Sequence, residues 1–403
     1  MSPRPLRHKP NMLLRALFGV LITAALAVLV PGQLCQLGAD AWFNGDAERQ
    51  TLLSRGAAYW LNQPIQSIDF HTGSDTFDGE WRFGADMMLA MGLAQVAIEH
   101  PDLRDRHAEW VGECIDRLLE PATRQFDTDE WSADALDTLD GPQGHAAYLG
   151  YLNLALGMDR LLTPDSRHAA MHDRITESLI RRIRASPRVL LETYPDEIYP
   201  VDNAAVIASI ALHQRATGAN HRATINRWID YCRANLIDSE SGVLFQAVDS
   251  LTGDPTDAPR GSGTTLAIYF LSFVDSDLSA ELYASLKAHL GMNLAGFGAV
   301  REYPAGRDGP EDIDSGLVVS GMGLSATGFT LGGARAHEDK AMFARLYAST
   351  RWVGVPHRES REMRYVFGGP LGDSIMLAML TAQPAAHWRD EPQREVEPEE
   401  RTP

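Results

Sequence analysis

Residues 150–185 read GYLNLALGMDRLLTPDSRHAAMHDRITESLIRRIRA. Apolar side chains recur at helical spacing on both sides of the pentapeptide TPDSR (163–167), and Pro164 suits the first turn of a new helix. The stretch therefore predicts two helices, 142–162 and 165–186, folded into a hairpin by a very short link. The unit recurs. HPDLRD joins another pair with Pro101 at a helix start. TGANHRA joins a third, with Gly218 just past a helix end, where left-handed backbone favours glycine.

Extended along the chain, the periodicity predicts helices at 46–63, 80–100, 102–121, 142–162, 165–186, 200–218, 220–237, 261–274, 277–292, 313–333, 336–352 and 370–382, with almost no strand alternation. Links after the even-numbered helices are short. Those after the odd-numbered ones, at 63–80, 121–142, 186–200, 237–261, 292–313 and 352–370, are long. In a run of antiparallel hairpins, alternate links fall at opposite ends, so all the long ones should gather at one mouth. The expected fold is an all-α (α/α)6 barrel of six helical hairpins. Function is expected where the long links meet.

The chain has 403 residues, enough for one large or two ordinary domains. Its 36 basic and 54 acidic side chains leave a net charge of −18, which argues against nucleic acid as a partner. The only lysines are Lys9, Lys287 and Lys340, so Schiff-base chemistry has little to work with. Cys35, Cys114 and Cys232 fit no zinc or disulfide pattern, and the last two read as small apolar filling. No P-loop, HExxH, GxSxG or complete GxGxxG occurs. DIDSG (312–316) resembles part of an EF-hand loop but lacks its glutamate and spacing. Neither a metal nor a cofactor is expected.

At the N-terminus a basic segment precedes the uncharged run ALFGVLITAALAVLV (16–30), the pattern of a signal peptide or signal anchor. ADA at 39–41 offers small residues for cleavage. Basic residues ahead of the run keep the N-terminus inside, so the remainder is expected extracytoplasmic, membrane-anchored or secreted. The expected organisation is a leader or anchor at 1–41, the barrel at 42–385 and a charged, disordered tail at 386–403.

Polar residues cluster in the long links. The first carries Asp69 and runs into Trp81, the second Trp131 and then His145. The third carries Tyr194, Tyr199, Asp202 and Asn203, and the fourth ends at Arg260. The fifth, EYPAGRDGPEDIDSG (302–316), follows Arg301 and holds Tyr303, Asp312 and Asp314. One aspartate can cap the helix expected at 313–333; since a helix has one N-cap, the other is left for the cleft. Carboxylates with aromatics and arginines at one rim suit a small-molecule or glycan substrate: acids move protons and ring faces stack on sugars. Asp202 with Asp312 or Asp314 is the expected acid/base pair. His145 and Asp69 would share the proton or orient substrate, and Tyr194, Tyr199, Asn203, Trp81, Trp131, Arg260, Arg301 and Tyr303 would bind it.

Several segments together resemble the linalool dehydratase-isomerase family of (α/α)6 proteins. They are IDF at 68–70, the step Gly144–His145, the Pro-Asp loop ending in Asn203, HRATINRWIDYCRANLIDSESGVLF at 221–245, and the glycine-rich acidic segment 306–316. About two thirds of the chain is covered. The resemblance implies cofactor-free dehydration and isomerisation of a terpene alcohol by an aspartate, a histidine and two cysteines. The first two fall on Asp69 and His145. The cysteine positions fall on Thr193 and Asp202, which puts a carboxyl where the family has a thiol. Three readings are therefore carried forward: a glycoside hydrolase or lyase, a hydro-lyase or isomerase of the resembled type, and a glycan-binding surface protein without catalysis.

Overall fold

A computed structural model describes residues 12–65, 70–307, 309 and 315–388. Among the described residues, six helices form a closed inner ring. They are α4 (Asp75–Glu99), α7 (Tyr151–Leu162), α9 (Pro200–Thr217), α11 (Gly261–Leu271), α13 (Leu324–Ala336) and α15 (Gly369–Leu380). Each touches the next in that order, and α15 returns to α4. Around them lie α3 (Ala47–Ala58), α5 (Arg104–Leu118), α8 (Ala169–Ala185), α10 (Arg222–Asn235), α12 (Ser276–His289) and α14 (Lys340–Gly354). This is the (α/α)6 barrel.

Side-chain pattern decides which helix is inner. In α9 every residue from Asp202 to Ile210 is buried, so the helix needs protein on all sides. In α8 the buried Ile175, Leu179 and Ile183 make one stripe at four-residue spacing, and arginines take much of the rest. Short links carry the stop and start signals. Gly218 ends α9 at φ 75°, Asp275 accepts two backbone N–H bonds at the start of α12, and Asp339 caps α14. The inner helices all run one way. At their C-terminal ends Arg335 of α13 makes a paired contact with Glu99 of α4 at 2.7 and 2.9 Å, closing the barrel's floor. Cys114 and Cys232 are buried filling, and burial pushes the Cys232 thiol up to about 12.

The ring closes tightly between α4 and α15. A Cβ built on Gly92 would lie 2.7 Å from Leu377 Cγ and 2.8 Å from the Ala378 nitrogen. Gly92→Ala is expected to cost about 1–3 kcal/mol, read from a urea unfolding midpoint.

The long connections are more ordered than expected. The second contains a short helix, α6 (Gln125–Trp131). Four two-stranded antiparallel ribbons appear: β1–β2 (Glu197–Ile198 with Val248–Asp249), β3–β4 (Gly291–Leu294 with Phe297–Val300), β5–β6 (Val318–Val319 with Met322–Gly323) and β7–β8 (Pro356–Arg358 with Met363–Tyr365). The third of these corrects the helix expected from 313. Ser320 and Gly321 both have positive φ, the backbone of a tight hairpin turn, so α13 starts only at Leu324 with Gly323 as its N-cap. Gly323 supplies no side-chain cap, and the aspartates at 312 and 314, expected to start this helix, fall outside the described residues.

α1 (Met12–Cys35) is long and apolar enough to cross a membrane and is little buried. ADA falls in a short helix, α2 (Ala39–Phe43), with Ala39 and Trp42 buried. At the other end the barrel runs past its expected limit. Trp388 is buried, and Arg215 donates to its carbonyl at 2.9 Å; residues 389–403 lie outside the described part.

Candidate active site

A cleft of about 640 Å³ opens at the end of the barrel where the long connections gather. The first turns of all six inner helices line it, through residues such as Phe77, Tyr151, Asp202, Ser262, Ser325 and Leu371. Six helix N-termini thus point at one space, and their partial positive charge suits the acids placed there. The deeper wall is apolar, built from Met87, Met88, Phe329 and Ile375. The rim carries Glu80, Glu130, Glu197 and Asp257.

Asp202 sits in the first turn of α9, preceded by Pro200 at the first helical position. It is 8% exposed and borders the cleft. Tyr151 donates to one carboxyl oxygen at 2.8 Å and Thr193 to the other at 2.8 Å. Burial lifts the Asp202 pKa to about 6, against the pull of those two hydroxyls. Asp86 and Asp373 are raised to about 6 as well. Asp86 is paired with Arg117, and Asp373 accepts from Trp60 and from the Tyr365 backbone, both outside the cleft lining. Titration alone therefore marks no site; the opening of Asp202 onto the cleft does.

Tyr194 donates its phenol proton to Glu80 across the cleft wall. Burial and then the charges of Glu80 and Asp202 push the Tyr194 pKa well up, so the phenol lies in the field of both acids. Tyr199 donates to Glu197 at 3.0 Å. Arg260, just before α11, is buried against Glu302, with Nε 3.1 Å from Oε1, and its guanidinium lies over the Tyr303 ring at 5.4 Å.

The structure brings together Asp202, Tyr194, Tyr199, Trp81 and Arg260 on the cleft. Others of the expected set lie elsewhere. His145 is fully buried, with Nδ1 2.7 Å from Asp127 and Nε2 3.1 Å from Thr138, and Trp131 covers its ring at 4.6 Å. Neither His145 nor Trp131 lines the cleft, which corrects their expected access to substrate. Asn203 is spent on backbone, bonded to Leu191 N and O at 2.8 and 3.0 Å. Arg301 pairs with Met322 through backbone, and Tyr303 lies under Arg260; both are off the lining. Asp69, Asp312 and Asp314 fall outside the described residues.

Sequence reading missed Tyr151, Thr193 as a donor, and the pairing of Glu80 with Tyr194. Tyr151 looks like core filling in AAYLGY, and no local signal separates it from Tyr148, which is core. Asp127 was hidden because α6 was read as loop. Among the described residues no three His, Cys, Asp or Glu side chains converge as a metal-holding group.

No family model matches the chain. In fold it aligns with a solved unsaturated glucuronyl hydrolase specific for heparin. The TM-score is 0.51 at 10% identity, over 85% of this chain and 97% of that one. It also aligns with the unsaturated glucuronyl hydrolase of Bacillus sp. GL1, responsible for the degradation of glycosaminoglycan, at TM-score 0.47 and 14% identity over 84% and 96%. A third alignment is with a C. acetobutylicum glycoside hydrolase from family 105, at 0.46 and 12% over 75% and 93%. At these identities the likeness is one of architecture: the first alignment supports an (α/α)6 barrel over nearly the whole chain.

Proposed function

We propose that this chain is a carbohydrate-active enzyme, a glycoside hydrolase or lyase working on an extracytoplasmic glycan through carboxylate acid/base catalysis. The observation that carries the reading is Asp202: a buried carboxyl with a pKa near 6, facing a cleft whose rim bears aromatic rings and further acids. A carboxyl titrating there is still partly protonated near neutral pH and can act as general acid. In hydrolysis Asp202 gives its proton to the departing glycosidic oxygen. Glu80 takes a proton from the attacking water, and both acids reset by exchange with solvent. Tyr194, bonded to Glu80, holds that carboxylate in place. Trp81 and Tyr199 offer ring faces to a sugar. The glycan activities named for the aligned structures agree with this reading.

The pH dependence has a definite sign. The Thr193 and Tyr151 hydroxyls favour the ionised form, so removing them raises the Asp202 pKa. Thr193→Val with Tyr151→Phe is expected to move the alkaline fall of kcat/KM upward by about one pH unit, checked by pH–rate profiles.

A second reading rests on a separate observation. Thr193 and Asp202, the two positions that the resemblance to linalool dehydratase-isomerase assigns to cysteines, meet at 2.8 Å beside an apolar wall. That supports a cofactor-free hydro-lyase or isomerase. The full chain should be screened against a glycan panel, including oligosaccharides with an unsaturated uronate end, and a terpene-alcohol panel. Glycan turnover that Glu80→Gln abolishes supports the first reading. Turnover of terpene alcohols alone overturns it for the second, and glycan binding with no turnover overturns both.

A further inference from the structure

Apolar exposure on this barrel is one-sided. Apart from α1 and Leu37 just after it, every large hydrophobic side chain that is exposed among the described residues lies at the mouth end. Each sits in a long connection or in the helix turn adjoining one. Leu251, Leu294, Leu317, Trp352, Val366 and Phe367 are each more than half exposed. The short connections at the opposite end carry none. A soluble surface scatters such residues singly, whereas a collar on one end marks a face that meets something apolar.

α1 identifies what that something is. Gln36 donates to the Gly296 carbonyl at the turn of β3–β4 at 2.7 Å. Arg351, in the last turn of α14, donates to the Leu37 carbonyl at 2.7 Å. At Gly32 the helix lies so close to the hairpin that a Cβ would meet the Ala295 oxygen at 2.2 Å. Lys340, at the other end of α14, pairs with Asp40 at 3.3 Å. The chain from Leu34 to Asp40 thus runs down α14 from its mouth end, and α1 approaches the barrel from the mouth side. The part of α1 ahead of Gly32 is roughly 30 Å long at about 1.5 Å per residue, the thickness of a bilayer's hydrocarbon core.

We infer that the loop-rich end of the barrel is a lipid-contacting face, seated on the bilayer that α1 enters. The collar is densest on the two connections flanking α1, where Leu294 and Leu317 lie in one and Val366 and Phe367 in the other. Trp352, beside them, has the amphipathic ring that favours the interface. The cleft then opens toward lipid. If the catalytic reading above also holds, its substrate is a glycan borne on a lipid; the docking face itself does not depend on that reading.

The test uses the full chain, one copy per nanodisc of phosphatidylethanolamine and phosphatidylglycerol. Cys35→Ser removes the partly accessible thiol; Cys114 and Cys232 are buried. A polarity-sensitive dye is placed on Leu294→Cys, on Phe367→Cys and, at the opposite end, on Asp102→Cys. Acrylamide quenching at the two mouth positions is expected to fall about threefold or more below that at Asp102→Cys, with blue-shifted emission. Trp352→Cys replaces either mouth variant that fails to fold. Equal quenching at all positions overturns the inference. Protection that appears only with two copies per disc also overturns it, because the collar would then be a self-association surface. No substrate is present, so either result leaves the catalytic reading to its own test.

Discussion

Asp202→Asn is expected to lower turnover by about a hundredfold or more while making the protein more stable at pH 8. The two effects share one cause. Burial raises the carboxyl from 3.8 to about 6. An acid whose folded pKa lies above its unfolded value stabilises the fold while protonated, and that contribution is lost as pH rises from about 4 through 6. Above that window the wild type holds a buried charge costing on the order of 3 kcal/mol, about two pKa units at 1.36 kcal/mol each. Asparagine keeps the shape and never ionises. Melting curves should therefore separate the two proteins at pH 8, with the variant higher, and coincide near pH 4. A variant no more stable than wild type at pH 8 would mean that the ionised form is well accommodated, and the acid role would fall.

Arg260→Met is expected to destabilise the barrel by about 3–5 kcal/mol, the usual cost of leaving one partner of a buried ion pair uncompensated. Glu302 is fully buried and has three described donors on one oxygen, Arg260 at 3.1 Å, the Ser262 hydroxyl at 2.6 Å and the Ser262 backbone nitrogen at 3.3 Å. The pair ties the start of α11 to the fifth connection, where the Gly261 nitrogen also bonds the Glu302 carbonyl at 2.7 Å. Adding Glu302→Leu should recover much of the loss, since a neutral apolar pair needs no compensation. Urea unfolding of the single and double variants checks it. A double variant as unstable as the single one would show that the backbone link, not the charge pair, holds this corner.

Much of the barrel was readable because its signals are local. Pro101, Gly218 and the alternation of short and long links identified the hairpins, and the link order correctly predicted which ends share a mouth. The helix start at 313 was misread because LVVSGMG is apolar in either state. Only the pairing of Val318–Val319 with Met322–Gly323 makes it a ribbon. The site was less legible. Tyr194, Tyr199 and Asp202 lie close in sequence and were found together. Glu80 reaches Tyr194 from 114 positions away, and that contact exists only because α4 and α9 lie in one ring.

Sequence alone determined the helical hairpins, their order and the apolar first helix, since periodicity, caps and link length act over a few residues. Tertiary structure decided which polar side chains face the cleft. It buried His145 against Asp127, spent Asn203 on backbone, and left Asp202 at the mouth beneath two hydroxyls. The physical reason is that burial and electrostatic field are sums over neighbours brought from distant parts of the chain. A carboxyl's pKa and its access to substrate are therefore written in the closed ring, not in the residues beside it.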